Sequence, residues 1–595
     1  MITLVNFKFL CYHSGMKHII SILMTILILL SGLTSFAADA PSDWAADEVK
    51  LATGHGFVPS ELLDGYALPI TRAEFAQMAV RFFSVVTETP VSELPAEYVF
   101  ADTDNGYVAA AFGLGIIKGR SETEFAPHDT ITRQEAAVMM TNTLIACGEI
   151  ISKASTNFND TDLIADWAKD STGIMQDTKI MKGTGENNFA PYDNYTREQS
   201  IVSFERMHQY LNRKTKKLSF LTVSNGRLVA DSEDIILNGV NLGGWLLMES
   251  WMSPIHDPDE KLAYTDIIEI LTDRFGKGRA LELLSEYEKS FITSSDFARI
   301  SNLGFNCVRL PFWYRNFMTA DGKWLTDSHN TNPGFKIIDK AVRLCEKYGL
   351  YLILDMHGCP GGQSTNHTTG QIGKNELYDS EENIAVMEKL WSAIAHRYKS
   401  NPYIAAYDIM NEPQNNDSLF GKKAYVAESI EATKRTNNVY KRMISAIRKN
   451  DPNHIITIEG IWSLSTLLTP KEYGDDKLMY QLHIYDSAKP MINKRIAELN
   501  EYRLRFGVGV LVGEYNSRNL EEYAATLYKE KSISRIKWTY KTIGVGYDNW
   551  GLYNKNIQKL DINNASYEEI KNAFGREIRT ENGFDFNQPE YEIIQ

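Results

Sequence analysis

The stretch Ile404-Ala405-Ala406-Tyr407-Asp408-Ile409-Met410-Asn411-Glu412-Pro413 reads as a short apolar strand, Ile404 to Met410, that breaks into an Asn-Glu pair at its carboxyl end. A second stretch, Leu511-Val512-Gly513-Glu514-Tyr515, repeats the pattern and ends on a lone acid. Working outward from these two, the chain beyond Leu218 alternates short β-branched runs with longer helical stretches, the pattern of β/α units around a parallel sheet. The strands are expected at Ile236–Leu242, Cys307–Pro311, Tyr351–Met356, Ile404–Met410, Ile455–Glu459, Met479–His483, Val508–Gly513 and Val545–Asn549. Eight such units predict a (β/α)8 TIM barrel over residues 218–595. Phe220–Asp234, with Asn225-Gly226 at its turn, reads as a hairpin capping the barrel floor.

Composition limits what such a barrel would act on. The 595 residues carry 62 Lys and Arg against 76 Asp and Glu, a formal net charge of −14, with 43% apolar and 11% aromatic residues. That content builds cores and is too aromatic for a disordered acidic chain. The negative charge disfavours nucleic acid and anionic membranes and leaves neutral ligands such as sugars open. The cysteine spacing shows no zinc motif, so neither metal nor cofactor is expected, and mostly free buried thiols are predicted, with a Cys345–Cys359 bridge left open.

Active sites of such barrels form at the carboxyl ends of the strands. Nearly every run here ends in a polar or aromatic residue: Asn241 with Trp245, Arg309, His357, Asn411 with Glu412, Glu459, His483 with Tyr485, Glu514, and Trp550. Glu412 and Glu514, on the fourth and seventh strands, are placed to face each other across the mouth. Glycoside hydrolysis needs such a pair, one group to protonate the leaving oxygen and one to attack or stabilise the sugar cation. Arg309 is expected to hold Glu514 as a carboxylate, Tyr485 to donate to it, Asn411 to bind a sugar 2-hydroxyl and Trp550 to stack on a sugar ring. Any one of these residues alone is more often structural, a surface acid or a core histidine. The ordered set is what favours catalysis.

This set resembles glycoside hydrolase family 5 over about residues 220–560. The family's ordered strand-end residues correspond to Arg309, His357, Asn411, Glu412, His483, Tyr485, Glu514 and Trp550. The resemblance implies that Glu412 is the general acid/base and Glu514 the nucleophile of a retaining enzyme without a catalytic metal, their carboxyl groups about 5 to 5.5 Å apart. Gly239-Val240-Asn241-Leu242-Gly243-Gly244-Trp245-Leu246 with Glu249 is similar to the opening of the exo-1,3-β-glucanase group, in which Glu249 would bind terminal glucose hydroxyls. His357-Gly358-Cys359-Pro360-Gly361-Gly362-Gln363 continues that likeness. The next segment departs from it: an aromatic and an amide of the group's closed pocket are missing at Asn366 and Thr368. Exo action on 1,3-linkages and endo-acting cellulase or mixed β-glucanase action therefore both stay open.

The amino-terminal third is repetitive. Lys118-Gly119, Phe125-Ala126-Pro127 and Thr132-Arg133 recur as Lys182-Gly183, Phe189-Ala190-Pro191 and Thr196-Arg197, all at one offset, and Thr71-Arg72-Ala73-Glu74 marks an earlier copy. Each Thr is an expected N-cap of a helix. The three units, over residues 42–210, resemble S-layer homology repeats, mainly helical modules that bind a secondary polymer of bacterial cell walls. The resemblance puts Arg72, Arg133 and Arg197 on that polymer. Ahead of the repeats, Met16-Lys17-His18, the apolar run Ile19–Leu30 and Ser35-Phe36-Ala37 predict a cleaved secretory signal over residues 1–37 with Met16 as the true start, and no membrane span after cleavage. Residues 211–217 are expected to be a linker. Together these features predict an exported β-glucan hydrolase held on the bacterial cell wall. The competing expectation is an inactive carbohydrate-binding or structural S-layer surface protein.

Overall fold

A computed structural model describes residues 40–151, 153–212, 217–259, 262–327, 330–415, 430–460, 463–544 and 550–595. The expected secretory signal, most of the expected linker and the expected eighth strand, Val545–Asn549, lie outside the described residues. Leu211 and Asn212 belong to a helix, Arg197–Asn212, and not to a linker.

Eight parallel strands close into a barrel in simple sequential order: β1 Asn238–Asn241, β2 Cys307–Trp313, β3 Tyr351–Gly358, β4 Ile404–Asp408, β5 Ile455–Glu459, β6 Leu478–Ile484, β7 Gly509–Tyr515 and β8 Ser534–Lys537. Seven strands fall where the apolar runs placed them. The eighth does not: β8 closes the barrel by pairing Arg535–Lys537 with Asn238–Val240. Ser534-Arg535-Ile536-Lys537 has one apolar residue in four, so no apolar run marks it as a strand. Its two cations are nonetheless buried, Lys537 against Glu521 and Glu590. β2, β3, β6 and β7 are buried along their whole length. Such strands need apolar residues on both faces, which is why they read as continuous runs.

The floor forms as expected. Thr222–Ser224 and Arg227–Ala230 pair as a hairpin, with Asn225 and Gly226 both at positive φ, the two-residue turn that matches strand twist. Leu221 and Leu228 seal the bottom of the barrel against Ile353, Ala405, Met479, Leu511 and Ile536.

In the amino-terminal unit three helices, Arg72–Thr87, Arg133–Ala146 and Arg197–Asn212, each start behind a capping threonine. Thr71 and Thr132 form capping boxes with Glu74 and Glu135. Thr196 exchanges the same pair of bonds with Gln199, so the glutamine of the third copy does the work of the glutamate. Short antiparallel bridges Thr71–Thr130, Thr132–Asn194 and Pro69–Thr196 link copy one to two, two to three, and three back to one. The repeats thus close into a ring. Ser295 and Asn302 of the barrel donate to the carbonyls of Ala146 and Gly148 at 2.7 and 3.0 Å, seating the ring on the barrel's flank.

Cys147, Cys307, Cys345 and Cys359 are free and buried, so Cys345 and Cys359 do not pair. Among the described residues, no helix is long and apolar enough to cross a membrane.

The arginines of the three copies hold this ring together. Arg72 donates to the carbonyls of Phe125 and Lys118 at 2.8 and 3.0 Å, and Arg133 to those of Phe189 and Lys182 at 2.7 and 2.8 Å, each guanidinium lying over the phenylalanine ring of the next copy. Arg197 completes the circuit on Asp64 and Glu74. Arg133→Met should orphan two carbonyls and destabilise the ring by about 2–3 kcal/mol. Arg197→Met, at a more exposed pair, should cost about 1 kcal/mol or less. Urea unfolding of the full chain, followed by limited proteolysis of the amino-terminal unit, checks the order.

Candidate active site

The barrel's carboxyl-terminal rim is organised by one fully buried guanidinium. Arg309, on β2, donates Nε to Asp408 Oδ2 at 2.9 Å, Nη1 to Asn241 Oδ1 at 3.0 Å and to Glu514 Oε1 at 2.8 Å, and Nη2 to Asn411 Oδ1 at 2.8 Å. Asp355 Oδ1 lies 3.2 Å from Nη2. Desolvation works against the cation, but Asp355, Asp408 and Glu514 outweigh it and raise the pKa of Arg309. Asp355, Asp408 and Glu514 contact this cation, and Glu412 and Glu459 meet Glu514 at His483. Burial pushes Asp355 up to about 7 and raises Asp408, Glu412 and Glu459.

Glu412 follows β4 with φ at 39°, a left-handed backbone that a side chain with a Cβ rarely adopts. Its amide donates to Glu459 Oε2 at 2.7 Å, which helps hold this conformation. Glu459 thus braces the backbone of Glu412. The Glu412 side chain keeps 26% exposure, and its Oε1 lies 2.9 Å from Nδ1 of His483. The same nitrogen is 3.4 Å from Glu514 Oε2, so one imidazole separates the two acids. Burial pushes His483 down to about 4. The ring is therefore neutral at ordinary pH and adds no positive charge that would hold Glu412 ionised.

Glu514 receives a second donor, Tyr485 Oη, at 2.6 Å on Oε2. Burial, with Glu514 and Glu412 nearby, drives the Tyr485 hydroxyl well above its ordinary range, so it stays a donor. His357 is oriented by Asp355 at 2.7 Å and stacks on Trp538 with ring centroids 5.5 Å apart. Its Nε2 lies 3.4 Å from Asn411 Nδ2. Above these residues is a cavity of about 310 Å³ walled by Trp251, Trp538, Trp550, Tyr485, His367 and Thr368, with Glu249, His357, Asn411, Glu412 and Glu514 presented to it. Glu249 accepts from Trp251 Nε1 at 2.8 Å, and Trp550 packs on Trp251 and Tyr485. Three indoles and three carboxyl groups in one cleft suit a sugar: flat apolar faces for its ring and hydrogen-bonding groups for its hydroxyls.

Of the residues singled out from the sequence, Arg309, His357, Asn411, Glu412, His483, Tyr485, Glu514, Trp550 and Glu249 meet at this site, whereas Trp245 turns away, its Nε1 donating to the Glu288 carbonyl at 2.7 Å. Others were missed. Asp355 and Asp408 lie inside apolar strands and read as interruptions. Gln481, which donates to Asp408 Oδ1 at 2.5 Å, looked like one more strand residue. Trp538 was overlooked because the eighth strand was sought at Val545–Asn549, past its actual place at Ser534–Lys537. Trp550, expected at that strand's end, reaches the cleft from a later loop. Arg72, Arg133 and Arg197, expected on a wall polymer, sit in the joints between copies. Arg72 and Arg133 are buried with their guanidiniums bonded to backbone carbonyls, because the turn of the next copy folds over each one.

A parallel eight-stranded barrel with paired acids at its carboxyl-terminal rim is the architecture of a large class of glycoside hydrolases. Residues 275–556 match the family model "Cellulase (glycosyl hydrolase family 5)", and residues 101–137 match "S-layer homology domain". The barrel is a family 5 glycoside hydrolase domain, joined in one chain to an S-layer homology domain. A beta-xylosidase of Phanerodontia chrysosporium is 26% identical over 55% of this chain and 72% of its own length. A probable glucan 1,3-beta-glucosidase A of Aspergillus niger is 31% identical over 32% of this chain and 45% of its own, so the chain spans under half the length of that relative. Among solved structures, a rutinosidase from Aspergillus niger is 17% identical over 55% of this chain and 94% of that one, with a TM-score of 0.40.

Replacing Arg309 by Met would leave Asp355, Asp408 and Glu514 buried around no cation. The expected cost is about 3–5 kcal/mol, and Arg309→Lys should not restore it, because one ammonium cannot span five acceptors. Gly513→Ala should disturb the same network, since its Cβ would sit 2.0 Å from Gln481 Oε1 and 3.1 Å from His483 Nε2. Thermal unfolding and near-ultraviolet circular dichroism of the three variants check this.

Proposed function

We propose that this chain hydrolyses β-glucan with retention of anomeric configuration while its repeats hold it on a bacterial cell wall, with Glu514 as nucleophile and Glu412 as general acid/base. The observation that carries this reading is the convergence of both carboxyl groups on Nδ1 of His483, at 2.9 and 3.4 Å. Such closeness suits direct attack by one acid and not the wider gap in which an inverting enzyme seats a water. Arg309 and Tyr485 fix the two oxygens of Glu514, aiming it at an anomeric carbon above the cleft floor. Glu412, its pKa raised by desolvation against the pull of His357 and Arg309, carries the proton for the leaving oxygen. After the aglycone departs, the same carboxylate deprotonates a water that attacks the glycosyl ester on Glu514. Proton and electron pair thus return to their starting places. Asn411, held by Arg309, offers its amide to the 2-hydroxyl.

Of the two relatives named above, both with glycosidase names, the probable glucan 1,3-beta-glucosidase supports a β-glucan substrate. His367 and Thr368 wall the cleft where an exo-1,3-glucanase pocket would have other residues, so the cleaved linkage and the exo or endo mode are read from the products. For wall attachment, two grooves between copies fit an anionic polysaccharide. One is lined by Arg72, Lys118, Arg120 and Trp167, the other by Arg133, Lys182, Arg206 and Trp44. In this reading Arg72 and Arg133 shape the groove, while Lys118, Arg120, Lys182 and Arg206 line it with positive charge.

Reducing-sugar release from laminarin, lichenan and carboxymethyl cellulose should fall about 10²–10⁴-fold in Glu412→Gln and as far or further in Glu514→Gln. Proton NMR of the first product should show the β-anomer. Because the acid form of Glu412 is the active one and its pKa is raised, kcat/KM should fall as pH rises through that pKa. Glu412→Gln should lose this alkaline limb on an activated aryl glycoside. Full activity in either variant, or an inverted product, would overturn the assignment. Sedimentation with isolated walls, before and after extraction of their secondary polymer, tests the anchor.

A further inference from the structure

Among the described residues, two groups of histidines and acids bring three ligand atoms within 4.8 Å of one another. Glu412, Glu459 and His483 belong to the cleft. The other group, His55, Glu205 and His208, lies in the repeat ring. We propose that His55, Glu205 and His208 form a zinc-type metal site that staples the first helix of the ring to its last.

His55 ends the helix Ala46–His55, the first described element of the ring. Glu205 and His208 stand three residues apart on Arg197–Asn212, hence on one face, and that helix packs along the first. Glu205 is 1% exposed. Its Oε1 accepts from Gln209 at 2.9 Å, but its Oε2 is buried without a hydrogen bond and points at Nε2 of His55 from 3.6 Å. A buried carboxylate oxygen with no donor is expensive, and a cation between it and the imidazole would repay the cost. The two imidazole rings lie 4.0 Å apart, tilted by 40°.

The chemistry selects the ion. Two imidazoles and one carboxylate are the ligand set of zinc and its neighbours, whereas calcium and magnesium take six or more oxygens. Zinc bonds of about 2.0–2.2 Å put tetrahedral ligand atoms roughly 3.3–3.6 Å apart, the spacing already present between His55 and Glu205. His55 keeps 37% of its side chain exposed, which gives the ion a path in and leaves a fourth position for water. The competitor is Asn212, whose Nδ2 lies 3.0 Å from His208 Nε2 at the surface. Arg206–Glu48 at 3.2 Å and the bonds from Ser42 to Glu198 already tie the same seam, so a metal would reinforce a contact that exists.

The test uses the untagged full chain, stripped with a chelator and titrated with Zn2+ or, separately, Ca2+. Calorimetry and elemental analysis should find one tightly held Zn2+ per chain, no comparable Ca2+, and a higher Tm for the repeat unit with Zn2+, because a ligand of the native state stabilises it. His55→Ala, at a partly exposed position that should not impair folding, should weaken Zn2+ binding at least tenfold and cancel the Tm shift, and His208→Gln should do the same. Polysaccharide hydrolysis should be unchanged by the chelator and by His55→Ala. Absence of stoichiometric uptake by folded wild type would overturn the site. So would uptake and a Tm shift that persist in His55→Ala, which would place the ion elsewhere, at Glu412, Glu459 and His483 if hydrolysis is then inhibited.

Discussion

The contacts of the Arg309 guanidinium are the constraint on which the cleft depends. Its three nitrogens reach the carboxylates of β3, β4 and β7, the amide of β1 and the amide that follows β4. Five points around the barrel are thereby fixed relative to one cation. A planar fork meets acceptors in one plane, so the strand ends must stand at a set height and the barrel cannot shear without breaking charged bonds. Removing such a charge from water is costly, and the surrounding carboxyls are what offset it. Burial raises Glu412 against the pull of Arg309, and raises Glu459 together with the charge of Glu412. The guanidinium thus holds Glu514 in place, while desolvation favours the proton on Glu412.

Seven strands and nine rim residues were legible in the sequence because buried parallel strands are apolar on both faces and polar residues at their ends stand out. β8 was not, since Arg535 and Lys537 are neutralised by partners that arrive from elsewhere, Glu521 and Glu590 for the lysine. Asp355, Asp408 and Gln481 were illegible for a related reason. A polar residue inside a strand shows its purpose only when the residue across the barrel is known. The capping threonines of the repeats could be read from local pattern alone. Where the guanidiniums of Arg72 and Arg133 point could not, because the carbonyls they bind lie 46 to 56 residues further along the chain.

Glu412 shows how stability is traded for reactivity at one residue. Its left-handed backbone costs of order 1–3 kcal/mol, and the bond from its amide to Glu459 offsets part of that cost. The strain is useful: an extended backbone here would carry the carboxyl along the strand and away from His483. Glu459 in turn is a buried acid whose pKa is raised by desolvation and by Glu412 itself, so protonation changes at the two are linked.

Both halves of the chain solve one problem in the same way. A repeated unit that cannot cover its own edge is closed into a ring: the barrel by pairing β8 with β1, the repeats by passing Arg197 back to Asp64 and Glu74 of the first copy. Closure has a weak point, the seam at which the last unit meets the first, because these are the units furthest apart along the chain and their contact closes the longest loop. In the barrel the seam is buttressed by Asn241, which donates to the carbonyls of Gly513, Ile536 and Lys537 and accepts from Arg309. In the repeats the matching seam is the contact of Ala46–His55 with Arg197–Asn212, where His55, Glu205 and His208 converge. Under the proposed wall attachment, load would pass through the ring's joints, and its seam is where reinforcement would do most.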